Sequence, residues 1–473
     1  IRDSYQEEGG YYVEVLDRGV QDSLPITGKD VWLWVDFTAR DLQGNVCETR
    51  SWELALQQNT YNNHTHYTPV FRFSGKDSHT LLEGSYLAIF NKLKIGDEEF
   101  EARYGTRLRL YLPSTVTSSN TGGTADGGYE GQYELDGDKP AVVDMMVYGH
   151  ITNPVAYEGN RVDSFANING GLCTEHKAEP KEDEESAEKS MRRRITRADS
   201  EEGEEEVDTR PLEFYDGRWH QPIDTLAQLY VNYAYSPARN TFDYNAIGVD
   251  TLMYPNENGY DKGKIYGTST LADIDRRINE ALVERFGEGI TYDEVLEADS
   301  LHTKATANVW YIGRFLDGYV FDTNIDEVRE IVFGDVGEAG EALSFETKEP
   351  LENDYILAWN YALPTLRRGQ WATILTVSTY AYGISGQVGA HTSTTTGDTS
   401  AIDYANYYNY MSYMNSMYGY GYGSMYNSGY YGYNPYYYGY NYVPSNSNTT
   451  TITTTATEIP SYSPMIFQVF VEK

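Results

Sequence analysis

The stretch Val309-Trp310-Tyr311-Ile312-Gly313, followed by Phe321-Asp322-Thr323, decides the fold of this chain. Aromatic and β-branched residues predominate in it, and the turn Asp317-Gly318 separates its two halves. This composition predicts two strands joined by a glycine turn. The same third of the chain contains further aromatic motifs: Ile356-Leu357-Ala358-Trp359, Ala381-Tyr382-Gly383, Ile459-Pro460 and Phe467.

In their order and spacing, these motifs resemble the FKBP-type peptidyl-prolyl cis-trans isomerases over residues 292–389 and 457–471. The resemblance implies an α+β fold in which an antiparallel β-sheet wraps around a short helix. It implies a prolyl-peptide pocket without a cofactor or a metal ion. The residues that it assigns to this catalytic pocket are Tyr311, Phe321, Asp322, Ile356, Trp359, Tyr382 and Phe467.

Each residue type suits this chemistry. An X-Pro amide isomerises over a barrier of about 18–20 kcal/mol because twisting destroys the C–N resonance. An apolar cradle that desolvates the amide favours the twisted form over the polar planar form. We expect the aromatic residues to form that cradle, Tyr382 to donate its hydroxyl to the substrate carbonyl, and Asp322 to orient polar groups. Three positions depart from the family pattern, namely Tyr355, Ala358 and Gln387.

Residues 1–155 resemble a degenerate relative of the same family. Strands are predicted over 31–37, 106–112 and 141–148, with one helix over 81–93. Phe37 stands at the tyrosine position, Cys47-Glu48 stands at the Phe-Asp position, and no tryptophan occurs at the helix start. We therefore expect a binding or scaffold role for this domain rather than catalysis.

The predicted organisation is two FKBP-like domains joined by a charged linker. Acidic blocks flank the basic run Arg192-Arg193-Arg194, which indicates a solvated linker over 156–210 or, alternatively, a partner-binding or protease-sensitive segment. Residues 211–290 are predicted as an extension with a strand over 229–235 and a helix over 271–286 that packs against the final domain. Residues 291–473 form that final domain, which carries an insertion over 390–457.

The insertion is rich in Tyr, Asn, Gly, Ser and Thr and has no charged residue between Tyr404 and Thr457. Such a composition is typical of a flexible disordered loop. It is equally that of an adhesive arm, since tyrosine offers a large contact area with few rotatable bonds. The second interpretation predicts a protein partner in the outer membrane, or folding of the insertion over the pocket of its own domain.

The totals limit the remaining possibilities. A formal net charge of −35 argues against nucleic-acid binding, and no apolar run is long enough to span a bilayer. The pair His64 and His66 is expected at the surface rather than in a metal site. The two cysteines, Cys47 and Cys173, allow one disulfide or two free thiols. Because the sequence starts at Ile1, we expect a removed or omitted N-terminal segment that could carry a lipid anchor.

The leading hypothesis is a peptidyl-prolyl isomerase and folding factor of the cell envelope that acts on proline-containing polypeptides. The tandem domains and the Tyr/Asn-rich loop resemble envelope lipoproteins of Bacteroidetes-type bacteria, which implies an extracytoplasmic lipoprotein on either side of the outer membrane. The alternative is a catalytically inactive, FKBP-derived accessory subunit of an outer-membrane complex, held through the insertion. A surface adhesin that uses the tyrosine-rich arm is the third hypothesis.

Overall fold

The structure is a computed structural model of mixed α/β architecture, with antiparallel sheets and few helices. It describes residues 3–28, 31–58, 61–75, 79–117, 119–120, 139–173, 215–223, 226–244, 253–255, 268–291, 294–295, 298–299, 301, 305–334, 339–348, 353–384, 386–387, 391–395, 450–454 and 457–473. The described residues form two compact units. The first takes in those of 3–157, 387, 391–395, 450–454 and 457–461, and the second takes in those of 158–386 and 462–473.

The first unit contains most of the strands. Up to residue 151, its strands are β1 (Tyr5–Gln6), β2 (Tyr12–Arg18), β3 (Val31–Arg40), β4 (Val46–Thr49), β5 (Val70–Ser74), β6 (His79–Leu82), β7 (Leu93–Ile95), β8 (Glu98–Phe100), β9 (Thr106–Leu112), β10 (Ser119–Asn120) and β11 (Ala141–Ile151). Its helices are α1 (Trp52–Gln57) and α2 (Glu83–Phe90). The main sheet has the order β1-β2-β9-β11-β3-β5-β6-β10, with β4 paired to β3.

The second unit contains both helices and strands. They are α3 (Pro154–Ile168), which enters this unit at Glu158, β12 (Leu229–Asn232), β13 (Met253–Pro255), β14 (Thr268–Thr270), α4 (Leu271–Phe286), β15 (Thr306–Phe315), β16 (Val320–Thr323), α5 (Asp326–Phe333), β17 (Leu343–Glu346), α6 (Leu357–Ala362), β18 (Trp371–Thr376) and β21 (Met465–Val471). Its sheet has the order β12-β18-β21-β15-β16, with β17 paired to β15.

The two sheets share one pattern of strand pairing. In the first sheet β2 pairs with β9, β9 with β11, β11 with β3, and β3 with both β4 and β5. In the second sheet β12, β18, β21, β15, β16 and β17 repeat these antiparallel pairings in the same order. The register matches as well, because a bulge follows the pair Ala39–Glu48 in one sheet and the pair Gly313–Asp322 in the other. Cys47-Glu48 therefore corresponds to Phe321-Asp322, and Phe37 corresponds to Tyr311.

The alternation of buried and half-buried residues along its strands shows where the core of the first unit lies. Val31, Leu33 and Val35 on β3 are almost fully buried, whereas the intervening Trp32 and Trp34 are half-buried on the opposite face of the sheet. This is the period-two pattern of a strand with one face in the core. In the second unit every residue of β18 and β21 is buried, because helices or loops cover both faces of that sheet.

Helix α4 covers one face of the second sheet. Its helical bounds agree with the predicted 271–286, and Gly287, at a φ of 76°, ends it. The ring of Phe286 packs at 5.0 to 5.8 Å from three rings of the sheet, those of Trp310, Trp371 and Phe470. Arg314 on β15 is 1% exposed, bonds Asp275 of α4, and donates from Nε to Gln468 Oε1 at 2.8 Å.

Several predicted elements are corrected. The helix predicted over 81–93 spans only Glu83–Phe90, because Leu81 and Leu82 belong to β6. It is not the only helix of its region, since α1 begins after Ser51, whose hydroxyl accepts a hydrogen bond from the Leu54 amide. The strand predicted over 31–37 extends to Arg40, the one predicted over 141–148 extends to Ile151, and the one predicted over 229–235 ends at Asn232.

The linker predicted over 156–210 is wrong at its start. Residues 156–168 belong to helix α3, which begins at Pro154 and buries Val162, Phe165 and Ala166. The acidic and basic blocks that motivated the prediction begin only at Lys181, and the remainder of that segment from residue 174 lies outside the described residues. The predicted domain boundary at 155 consequently falls inside a helix.

Two smaller points were open in the sequence. Cys47 and Cys173 are both free, Cys47 being buried and Cys173 half-buried, so the disulfide alternative is wrong. The ends of the insertion form an antiparallel pair, β19 (His391–Thr395) and β20 (Thr450–Thr454), and residues 396–449 lie outside the described residues. No helix within the described part of the chain is long and apolar enough to cross a membrane.

Candidate functional site

Strands β15 and β16 bring together the first three predicted site residues. Gly313 lies opposite Asp322 in the ladder, and Tyr311 donates a hydrogen bond from its hydroxyl to Asp322 Oδ2 at 2.7 Å. A methyl group on Gly313 would lie 2.6 Å from Cζ of Phe321. A glycine is therefore needed on β15 for the phenyl ring of Phe321 to lie across the strand.

Helix α6 supplies the tryptophan. Ile356 is the residue before its first turn, and its carbonyl accepts a hydrogen bond from the Trp359 amide at 3.0 Å. The indole of Trp359 is 5% exposed and meets Tyr311 edge-on, with ring centroids 4.9 Å apart. It meets the fully buried ring of Phe467 on β21 in the same way at 5.4 Å.

Phe321 joins the remaining aromatic residues. Its ring lies edge-on to those of Tyr382 and Phe467, each at a centroid distance of 6.0 Å. Tyr382 is half-buried and follows a short 3-10 helix, Ser378–Tyr380. Six of the predicted residues thus form one contiguous cluster, and Ile356, which is half-buried, lies one helical turn before Trp359.

Asp322 is the carboxylate of this cluster. Burial raises its pKa above the ordinary value of 3.8, against the opposing effects of the Tyr311 hydroxyl, the Thr323 amide and the charge of Arg329. A buried carboxylate polarises the phenol that it binds and fixes its orientation. The Tyr311 ring is therefore held by Asp322 within the aromatic cluster.

Tyr355, a departure from the family pattern, extends the aromatic surface. Its ring is tilted against those of Trp359 at 6.3 Å and Phe345 at 5.6 Å. Its hydroxyl donates a hydrogen bond to the carbonyl oxygen of Ser344 at 2.6 Å. The larger side chain is consequently held in place by β17. Of the other departures, Ala358 is fully buried in α6, and the backbone of Gln387 pairs with that of Ile459.

The corresponding positions of the first unit carry different side chains. Helix α2 starts from Leu82 in the same backbone conformation as Ile356, which places Ser85 at the tryptophan position. Burial raises the pKa of Glu48 to about 7, with Arg72 and Arg50 opposing it. The guanidinium of Arg72 lies 5.9 Å from the centroid of the Phe37 ring. The aromatic cluster is therefore replaced by smaller and charged residues.

Sequence reasoning missed one residue that contacts the loop of Tyr382. Glu158 of α3 is 1% exposed, and its carboxylate accepts hydrogen bonds from both the amide and the hydroxyl of Ser378. A signal was present, because Glu158, Val162 and Phe165 recur at helical spacing and place a charge within an apolar stripe.

A separate cavity of about 1030 Å³ lies between α4 and the segment 237–244. Its lining includes Phe242, Tyr244, Leu271 and Val283, and none of the predicted site residues. Among the described residues, no group of three or more His, Cys, Asp or Glu side chains is arranged to hold a metal ion.

No protein-family model and no curated protein matches the chain. Among solved structures it is similar to the three FKBP domains of wheat FKBP73, at 11% identity over 98% of this chain and 95% of that chain, with a TM-score of 0.22. It is similar to FkpA from Escherichia coli at 10% identity, over 32% of this chain and 52% of that one, with a TM-score of 0.20. For AtFKBP13 the identity is 11%, over 31% of this chain and 98% of that one, with a TM-score of 0.20.

The chain therefore spans about half the length of FkpA. The TM-scores are low, so the fold is defined by its strand pairings and the site by the contacts among its residues.

Proposed function

We propose that the second unit binds proline-containing polypeptides and catalyses cis-trans isomerisation of the X-Pro bond. The observation that carries this proposal is the contiguous cluster of Tyr311, Phe321, Trp359, Tyr382 and Phe467, with Asp322 bonded to the Tyr311 hydroxyl. The sequence resemblance to FKBP-type isomerases selected the same residues independently of their contacts.

The mechanism needs no bond to be made or broken. The prolyl ring packs on the aromatic cluster, which removes water from the amide and so disfavours its polar planar form. The half-buried Tyr382 donates its hydroxyl to the carbonyl oxygen of the substrate as the amide twists. Asp322 fixes the orientation of Tyr311, so that the walls of the cradle do not need to reorganise during the reaction.

We assign no catalysis to the first unit. Its counterparts of the cluster, Phe37, Cys47, Glu48 and Ser85, retain one aromatic ring and introduce a carboxyl group with a raised pKa. Such a surface would not grip a prolyl ring. A binding or scaffold role for the first unit is supported by its retention of the same strand pairings.

We further propose an envelope role, as an extracytoplasmic lipoprotein that contacts an outer-membrane partner through 390–457. What supports it is the composition of that insertion, which is uncharged from Tyr404 to Thr457 and rich in tyrosine.

A protease-coupled prolyl-peptide assay on the full chain tests the isomerase. We expect the wild type to be active, and Trp359→Ala combined with Tyr382→Phe to lower kcat/KM at least about tenfold. The matched control is Ser85→Ala at the corresponding position of the first unit, which should leave the rate unchanged. Full activity in the double variant would refute the assignment of the pocket.

The inactive-subunit alternative has its own test. Residues 396–449 are replaced by a short Gly/Ser linker, which retains both strands of the stem. An inactive wild type that gains activity on this replacement would show an occluded pocket. Inactivity of both proteins, with loss of an outer-membrane partner in pull-downs of the shortened protein, would support the accessory subunit instead.

A further inference from the structure

The loop that carries Tyr382 is organised by Ser378. The carbonyl oxygen of Ser378 accepts hydrogen bonds from the amides of Ala381 at 2.9 Å and Gly383 at 2.8 Å, the two residues that flank Tyr382. Gly383 has a φ of 80°, which closes the turn. The position of the Tyr382 ring against Phe321 therefore depends on where Ser378 is held.

Glu158 holds Ser378 from the other side. One carboxylate oxygen accepts the amide hydrogen of Ser378 and the other accepts its hydroxyl hydrogen at 2.9 Å. Burial raises the pKa of Glu158, while the bonds from Ser378 and the charge of Arg161 oppose that rise. Burial raises the pKa of the Tyr462 hydroxyl, and the negative charge of Glu158 raises it further.

Helix α3 is a firm support for this carboxylate. Phe165 is fully buried and contacts the ring of Trp219. A methyl group on Gly159 would lie 2.1 Å from the side chain of Gln228, so the helix approaches that segment as closely as a glycine allows.

We propose that Glu158 is a positioning residue that fixes the Tyr382 loop for the isomerase reaction. The inference rests on the proposed function, since it takes Tyr382 to touch the substrate. Glu158 precedes the part of the chain that resembles an isomerase, so α3 would be a working part of the site rather than a linker. A carboxylate here orients two donors at once, which an apolar side chain at this position would leave without partners.

The test compares Glu158→Ala, Glu158→Gln and Ser378→Ala in the full chain. Glutamine keeps both contacts, because its amide oxygen accepts from the Ser378 amide and its nitrogen donates to the hydroxyl. Asp163→Asn is the matched control, since it weakens the 2.9 Å hydrogen bond from the Tyr230 hydroxyl to the same helix without touching Glu158, Ser378 or the loop. Two quantities are measured, namely amide hydrogen exchange over residues 377–384 and kcat/KM with and without Tyr382→Phe.

We expect Glu158→Ala to speed exchange over 377–384 and to lower kcat/KM roughly ten- to hundredfold, as a misplaced catalytic group does. Glu158→Gln should restore both, and Tyr382→Phe should have little further effect in the Glu158→Ala background. Asp163→Asn should leave the exchange of these residues and the effect of Tyr382→Phe as they are in the wild type.

The exchange measurement is independent of catalysis. Unchanged exchange in Glu158→Ala, or fully multiplicative effects of Glu158→Ala and Tyr382→Phe on the rate, would overturn the positioning role. If exchange responds while the wild type itself is inactive, the proposed isomerase fails and the role of Glu158 in catalysis fails with it. If Glu158→Ala does not fold, Ser378→Ala, which removes the hydroxyl that Glu158 binds, takes its place in the comparison with the wild type and Glu158→Gln.

Discussion

Tyr311 and Asp322, on adjacent strands of the second sheet, are joined by a hydrogen bond of 2.7 Å from the phenolic hydroxyl to Oδ2. The first sheet has Phe37 and Glu48 at the same two positions, so the bond has no counterpart there. The two sheets therefore share a pattern of strand pairing but differ at these two positions in whether a hydrogen bond can form.

Removing the hydroxyl with Tyr311→Phe should lower the free energy of unfolding by about 1–2 kcal/mol at neutral pH, because the Asp322 carboxylate loses one of its donors. It should also raise the pKa of Asp322 further, since burial is then less opposed. The stability difference should shrink as pH falls and Asp322 is protonated in both proteins. Urea denaturation at pH 7 and pH 4 measures this.

Tyr230→Phe is the control, because it removes a similar bond to Asp163 outside the cluster. It should lower stability but leave the isomerase rate unchanged, whereas Tyr311→Phe should lower both. An equal loss of rate in the two variants would contradict a specific role for Tyr311.

Gly313→Ala should destabilise the second unit by about 1–3 kcal/mol, since its methyl group would displace the Phe321 ring from a distance of 2.6 Å. The first unit shows the compensation, because Ala39 stands at the position of Gly313 and the smaller Cys47 stands at that of Phe321. We therefore expect Gly313→Ala with Phe321→Cys to regain much of the stability but not the activity. Calorimetry of the single and double variants checks this, and strictly additive losses would contradict it.

Arg314→Met should lower stability by about 3–5 kcal/mol, because it leaves Asp275 without its buried partner. The combined change with Asp275→Leu should recover most of that loss. Arg40→Met, at the corresponding bulge of the first sheet, should cost at most about 1 kcal/mol. Arg40 is partly solvated there, and Asp144 keeps its bonds to Arg109. Equal losses in the two units, measured by urea denaturation, would contradict a role for burial.

Glu48→Gln should remove one source of the pH dependence of stability. Burial raises the pKa of Glu48 from 4.5 to about 7, so its contribution to stability is fully present below about 4.5 and is lost as pH rises through about 7. The variant should match the wild type at pH 4 and exceed its stability at pH 8, by at most about 3 kcal/mol. Urea denaturation across this range measures the difference.

Glu98→Gln supplies a control of opposite sign. The Arg18 side chain lowers the pKa of Glu98 through a hydrogen bond, so Glu98 contributes stability above its unfolded pKa and loses it as pH falls. The Glu98→Gln variant should therefore be less stable than the wild type at neutral pH. A gain at pH 8 in both variants would contradict the assigned cause.

Much of the second unit could be predicted from local patterns in the sequence. The helical spacing of Leu271, Ile274 and Ile278 gave the bounds of α4, and the aromatic motifs predicted residues that the structure brings together. The start of α2 could not be predicted from the sequence. Leu81 and Leu82 are residues that favour a helix, but they belong to β6 because that strand pairs with other strands. The contact of Glu158 could not be predicted for a similar reason, since its partner Ser378 is distant in sequence and only tertiary packing brings the two residues together.

Strands β19 and β20 have a consequence for how this protein can change. Because Thr395 lies opposite Thr450 in their ladder, the chain leaves and returns at neighbouring points. For a flexible linker joined to two such points, the entropy of closure grows only with the logarithm of its length, by about 0.6 kcal/mol for each doubling. Replacements of different length between these two threonines should therefore cost the sheets little stability, so natural variants should differ most in length at this point of the chain.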